Sequence, residues 1–499
     1  MVSRRMRLGK YAPVCFANPP WNEDHPDWIR FDEWLSRDHW VRQIVEAMQV
    51  LDLTPLFASY SAGGTKPIRP DLMLRVVLIE TQQGRYRPSQ WFRDLRENIA
   101  LMWAAFGIRP SRAYCYEFAD RVAPFLVVWN AQILAECRRR KMSPTKRGAQ
   151  DGTLVAANAS RHRLLNQGQL TKRRTQLEGA CAADAGTEQP AVIPPWMART
   201  PQGRLAQSQR YEAAAIRLTE LQAIARRQPS TCRRAAEKVV VCASDPQATP
   251  GRDKLKVFRP LYNVQLVRDL DSQFILGYDV FAQTNDSGTL KPMLRRLQGQ
   301  FGILVETLLA DAGYIKATNL ALSQRQDITL CGPWYEKDPT RPRGLKKGEA
   351  AKYSKERFSW LPGDNAYQCP GGHRLTAIGK ERRQQSDGDV NVVYRYRCLP
   401  EHCRSCALRD ACTSNPERGR SLRRSEHEEL IDAHKAYMQR DDTKQLYKLR
   451  CQTIELGFAD AREHRNLQRF SGRGIDRARR QIGLTVLAHN LVTLGRAPP

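Results

Sequence analysis

This sequence predicts an α/β fold in more than one domain, with a helical amino-terminal part and a mixed sheet interrupted by two insertions. Three observations predict it. The 499-residue length exceeds what a single core usually organises. Residues from about 30 to 140 place apolar side chains at helical spacing and carry few strand signals. From Arg147 onward, short β-rich runs alternate with polar stretches until a helical pattern closes the chain. The expected division is a helical domain over 1–140 and a core over 145–335 and 441–499. A helical and linker insertion falls at about 161–240, and a cysteine-bearing insertion at 336–440.

In the helical part, Pro70 opens a helix over Asp71–Glu80, and Gly84 interrupts it. "RPSQWFRDLREN" starts another, with Ser89 as the expected N-cap and Trp91, Phe92 and Leu95 on one face. Short helices joined by tight turns beside arginines fit a helix-turn-helix unit and a plain helical bundle equally. "RGAQDGTLVAANAS" reads as a strand carrying Asp151. Strand patterns resume at Tyr262–Val267, Phe274–Gln283, Phe301–Ala310 and "DITLCGP" (327–333). Between them, the polar and basic insertion holds the break "QPAVIPPW" and a helical stretch around Tyr211–Ala225. The closing helix pattern runs from about Asp442 through "GIDRARRQIGLTVLAHNLVTLG".

Lys and Arg number 80 against 52 Asp and Glu, a formal charge of +28. That excess is spread along the chain, the electrostatic footprint of a nucleic-acid binder rather than of a basic membrane-surface helix. No apolar run approaches a membrane-spanning length, and the amino terminus lacks a signal-peptide core, so a cytoplasmic protein is expected. Thirteen cysteines are an odd count for a paired secreted framework.

Asp311 follows the apolar run ending at Ala310 and precedes a helix-like segment. It is either a helix N-cap or a metal ligand. Asp151 lies on another strand, and "YKLRCQTIELGFADAR" adds Glu455, with Tyr447, Arg450 and Arg462 around it. At about 100° per residue, Glu455 and Arg462 share one helix face, where a cationic neighbour keeps a carboxylate ionised. Each acid alone is weak, because a surface glutamate is usually only solvated. Three carboxylates from two strands and a helix can hold two Mg²⁺ about 4 Å apart and act on phosphorus. Asp286 in "TNDSG" is the rival to Asp311, although Asn-Asp-Ser-Gly reads as turn chemistry.

Taken in order, "QDGTLVAANAS", "SDPQA", "YNVQ", "TNDSGTL", "LADAGY", "YKLRCQTIELGFADAR" and "RFSGRGIDRAR…LAHNL" resemble the DDE transposases of bacterial insertion sequences, over most of the chain. The resemblance implies an RNase H-like mixed sheet with flanking helices, with Asp151, Asp311 and Glu455 as the acids holding two Mg²⁺, for which Mn²⁺ can substitute. It implies that Tyr447 and Arg450 support a DNA phosphate. Arg462 stands where the family usually has Lys, which keeps the charge but not the point-like ammonium geometry. Arg469, Arg473 and Arg477 join the DNA-contacting set. The partners implied are double-stranded DNA, as terminal inverted repeats and as target, bound by a homodimer near the bacterial nucleoid. Two other readings stay open: an inactive or domesticated relative that only binds DNA, and an RNase H-like nuclease, since fold does not fix function.

Separately, Cys369, Cys398, Cys403 and Cys406 have partial zinc-ribbon spacing, with Cys412 to spare and His373 or His402 as substitutes. Zinc and reduced structural thiols are both open, because Cys369 has no second cysteine three residues on.

Overall fold

The computed structural model describes residues 14–61, 63, 65–186, 193–226, 235–335, 353–384 and 388–496. It is mixed α/β and divides into two compact units. The first comprises Met1–Asp286, Met293–Val305 and Cys451–Pro499, and the second Ser287–Pro292 and Glu306–Arg450.

In the first unit, β1 (Arg147–Ala156) lies antiparallel to β5 (Phe258–Asp269), with Asp151 opposite Leu266 and Gly152 opposite Gln265. β4 (Thr249–Arg252) and β6 (Ile275–Phe281) share the other edge of β5, both antiparallel. β5 and β6 are almost continuously buried, as expected of strands covered on both faces. The cover is the helix Ile475–Gly495, which packs on β6 and on the helices Trp40–Ala47, Pro70–Gln82 and Leu126–Arg139. Nearly every residue from Gln481 to Leu494 is buried. A helix apolar all round belongs inside a core.

Polar groups fix its register. Asn490 is fully buried; its Oδ1 accepts the Ile275 N–H and its Nδ2 donates to the Ile275 carbonyl, both at 2.9 Å. The side chain thus stands in for a neighbouring strand along β6. At the other end, Gln481 Oε1 accepts from the Ser471 N–H and hydroxyl, each at 2.8 Å. A Cβ on Gly483 would come within 2.5 Å of the Tyr278 hydroxyl oxygen, so only glycine allows this approach to β6. The amino-terminal helices bind the same scaffold: Tyr86 donates to the Arg465 carbonyl at 2.6 Å, and Asn130 to the Gly483 carbonyl at 3.4 Å.

The insertion after β1 is built on a short ribbon, β2 (Leu164–Leu165) with β3 (Val241–Cys242), carrying the helices Gln167–Ala185 and Pro201–Arg226. Its apolar residues form their own core around Leu170, Leu177, Tyr211, Ala214 and Leu218.

The second unit contains the parallel pair β7 (Thr307–Leu309) and β8 (Thr329–Cys331), joined through the helix Ala317–Arg325. It also holds an antiparallel five-stranded sheet ordered β13-β12-β11-β10-β9, with β9 Ser359–Leu361, β10 Ala366–Gln368, β11 Arg374–Gln384, β12 Val390–Cys398 and β13 Ser421–Ser425.

Three local expectations need correction. The apolar run 301–310 is not one strand: Leu297–Phe301 is a π-helical turn ended by Gly302 at φ 64°, and only Thr307–Leu309 is extended. Pro88 takes the first helical position after an Arg87 cap, so Ser89 lies inside the helix. The closing pattern is broken into Asp441–Arg450, a π-helical turn Cys451–Glu455, Leu456–Glu463 and Ile475–Gly495.

Asn490→Ala leaves the buried Ile275 N–H and C=O both unpaired, at about 1–3 kcal/mol for each unmet group. The thermal midpoint should fall by roughly 4–8 °C. A change under about a degree would show that the clamp is not needed.

Candidate active site

Asp151 sits in mid-β1, half-buried, with its Oδ1 accepting the Gly152 N–H at 2.8 Å. Strand alternation puts Gly152 on the opposite face. There a Cβ would collide with Asp286 Oδ1 and Gln265 Nε2, each 2.1 Å away. Asp286 fills that space, accepting from Gln265 at 2.7 Å and Asn263 at 2.9 Å. The glycine of "QDGT" therefore leaves room for a second carboxylate behind the strand.

Glu455 is exposed on the last residue of the π-helical turn, which packs against β1 and β5 and is tied to β5 by Arg268 Nη1 donating to the Thr453 carbonyl at 3.0 Å. Such turns insert an extra residue per turn and often mark functional positions. Arg462 follows on the helix Leu456–Glu463, half-buried. Burial pushes its guanidinium below the ordinary arginine range, and Asp151 counters this. Lys254 was missed by sequence reasoning. It stands on the β4–β5 turn, which is fixed by Asp253 accepting the Val257 N–H at 2.9 Å. Burial and then Arg462 lower its pKa, while Asp151 and Glu455 oppose that shift. Lys254 thus feels the charges of Asp151, Glu455 and Arg462, and Arg462 that of Asp151. Nothing in "RDKLK" sets Lys254 apart from Lys256; only the fold does.

Asp311 belongs to the second unit. It follows Ala310, whose N–H continues the parallel ladder by donating to the Cys331 carbonyl at 2.9 Å. Its Oδ1 accepts the Gly313 N–H at 2.7 Å and closes a turn. The next helix begins at Ala317 with Lys316 as cap, so Asp311 is not its N-cap. Tyr447 is half-buried and Arg450 buried on the helix Asp441–Arg450 of the same unit. In the first unit, Arg469 donates to the Ala157 and Ala159 carbonyls at 3.2 and 2.8 Å, and Arg473 to the Asn158 carbonyl at 3.3 Å, bracing the exit of β1. Arg477 pairs with Asp120 at 3.4 Å.

The cysteines converge. Cys369, Cys398, Cys403, Cys406 and Cys412 line one cavity of about 20 Å³ with His373 and His402, whose rings stack at 4.3 Å. Cys369 opens a tight turn in which its carbonyl accepts the Gly372 N–H at 2.9 Å, and Cys403 Sγ accepts the Arg420 N–H at 3.3 Å. Burial, with Cys403 adjacent, pushes the Cys398 thiol up to about 12. Among the described residues, no group of three or more His, Cys, Asp or Glu has the spacing to hold a metal ion as it stands.

Two family descriptions match this chain. Residues 29–115 match a transposase domain (DUF772), and residues 368–494 match a transposase DDE domain. Both are transposase domains, and they fall on the amino-terminal helices and on the stretch holding the cysteines, Tyr447, Arg450, Glu455 and Arg462. Together the two matches support a DDE transposase of the insertion-sequence type. Asp151 and Asp311 lie outside both matched stretches. No similar protein was found among curated proteins, nor a similar fold among solved structures. Among the described residues, no helix is long and apolar enough to cross a membrane.

Proposed function

We propose that this transposase binds the terminal inverted repeats of its element, cleaves the element ends, and joins the freed 3′ ends to target DNA by two-metal phosphoryl transfer. The observation that carries the proposal is the grouping of Asp151 and Glu455 with Lys254 and Arg462, in a chain whose carboxyl-terminal part matches a transposase DDE domain. Asp311 is the third acid. An RNase H-like mixed sheet is part of this reading, supported by the antiparallel order β6-β5-β1 in the first unit and by the parallel β7–β8 pair with its connecting helix in the second.

Asp151, Glu455 and Asp311 would hold the divalent ions, and their hard carboxylate oxygens suit Mg²⁺ or Mn²⁺. When bound, the ions supply an activated attacking oxygen and stabilise the leaving one. The chain's own residues do the rest. Lys254 and Arg462 offset the acids and attract a phosphodiester, with Arg462 able to present two parallel N–H donors to it. The Arg268 bond to Thr453 holds the Glu455 turn against the sheet. Asp286 keeps its amide partners behind β1 and serves as a support. Tyr447 and Arg450 would receive DNA phosphate, and the amino-terminal helices would read the repeats. Because the helix Ile475–Gly495 buries its apolar surface on those helices, removing residues 1–140 would uncover core, so point substitutions are the better probe of recognition. Joining two ends requires two active sites, which a homodimer provides.

The cysteine cavity is the second part of the proposal. The sheet β9–β13 has a small apolar core in which Cys398 and Cys403 take part, and small domains commonly need a metal or covalent staple. Cys369, Cys398, Cys403 and Cys406 would hold one structural Zn²⁺, with Cys412 to spare.

Asp151→Asn, Asp311→Asn and Glu455→Gln should each lower end cleavage in Mg²⁺ more than about a thousandfold, while repeat binding changes less than about threefold, since affinity comes mainly from cationic contacts to phosphate. Gel assays of cleavage and binding check both; cleavage retained by any of the three removes that acid from the site.

For the cysteines, elemental analysis of protein purified without chelator should find about one zinc per chain. Cys403→Ser should lower both the zinc content and the thermal midpoint. Zinc-free, fully folded protein would leave only reduced thiols in a packed sheet.

A further inference from the structure

The insertion between β1 and β4 is more than a spacer, because it builds a cationic cavity. The segment from Pro194 to Thr200 is strapped to the helix Pro201–Arg226. Gln207 donates to the Trp196 carbonyl at 3.0 Å and accepts the Ala198 N–H at 2.7 Å. Buried Arg204 donates to the Ala198 and Arg199 carbonyls at 3.1 and 2.9 Å, and pairs with Asp184 at 2.7 Å. These bonds fix Trp196. Its ring stacks on Tyr211 at 5.9 Å, and Arg173 lies 4.9 Å over it.

Beside Trp196 opens a cavity of about 280 Å³, lined also by Arg163, Arg173, Arg210, Tyr211 and Ser244. Among the described residues, no carboxylate lines it. Among the described residues, none of these three arginines makes an ion pair, whereas their neighbours Arg174 and Arg204 pair with Glu212 and Asp184. Burial lowers the Arg210 pKa, and then the like charges of Arg473 and Arg163 lower it further. Cations gathered around a half-enclosed space without a counter-charge are unfavourable unless an anion enters. The absent partner is therefore negative. A cavity just under the usual small-ligand range takes one nucleotide, and an aromatic wall suits its base.

We propose that this pocket receives one unpaired nucleotide of a DNA strand, its phosphate between Arg163 and Arg210 and its base against Trp196. The inference rests on the DNA-binding reading above but concerns a site away from the acids, made by the insertion.

Fluorescence anisotropy on the full chain tests it, using a duplex with a three-nucleotide single-stranded tail and its blunt counterpart across a salt series. Wild type should bind the tailed duplex more tightly. Arg163→Gln with Arg210→Gln should weaken tailed binding about tenfold and flatten the log–log salt slope by about 0.7 for one lost single-strand phosphate. Arg163→Lys with Arg210→Lys should restore the slope. Trp196→Ala should reduce the tail preference while blunt binding stays within about twofold. Should the glutamine pair fail to fold, competition on wild type decides: thymidine 5′-monophosphate displacing the tail where thymidine does not supports the pocket, and neither displacing it overturns it. Duplex binding without tail preference, with an unaltered slope in the variant, overturns the pocket alone. No DNA binding by wild type overturns the DNA reading and the pocket together.

Discussion

The first unit depends on one buried contact, the side chain of Asn490 bonded to both backbone groups of Ile275. It holds a long apolar helix in a single register on β6. That register sets where β6 lies, β6 borders β5, and β5 pairs with β1, the strand that presents Asp151. The same helix supports the amino-terminal helices from its other side. A slipped register would move the strands and those helices together. The polar pair contributes less to total stability than the apolar burial around it, but burial has no direction and a hydrogen bond does.

On this scaffold, charge is arranged in three ways. Near β1 and the π-helical turn, Lys254 feels the opposite charges of Asp151 and Glu455, and Arg462 that of Asp151, so cations and acids offset one another. Around the insertion's cavity, Arg163, Arg173 and Arg210 make no ion pair among the described residues, an arrangement that favours an anion. Along the exit of β1, Arg469 and Arg473 donate to backbone carbonyls and brace the chain. The formal charge of +28 therefore includes cations engaged in holding the fold as well as those left to attract DNA.

Much of the architecture was legible because its cause is local. The strands at 262–267 and 275–281 follow from runs of β-branched and aromatic residues, the one at Asp151 from the short run Thr153–Val155, and the Pro70 helix from a proline at its first turn. The run 301–310 misled, because apolar residues in a π-helical turn and in a short strand look alike when read in a line. The insertion after β1 reads as partly linker because its small core of Leu, Ala and Val side chains is diluted by arginines. For the site, Asp151, Glu455 and Arg462 were legible as types at a spacing. Lys254 was not, since its role comes from a turn folding back on a strand far away in sequence. The zinc-ribbon spacing was imperfect along the chain, yet the sheet brings all five cysteines to one cavity.

The central claim is that Asp151, Asp311 and Glu455 act together on one divalent-metal site. Iron-directed self-cleavage measures this most directly, because Fe²⁺ in place of Mg²⁺, with ascorbate and peroxide, cuts backbone only within a few ångströms of the ion. The account predicts fragments ending near residues 151, 311 and 455 at once, all suppressed by excess Mg²⁺ and all lost in Asp151→Asn. Cuts near 151 and 455 without any near 311, or cuts that Mg²⁺ leaves unchanged, would contradict it.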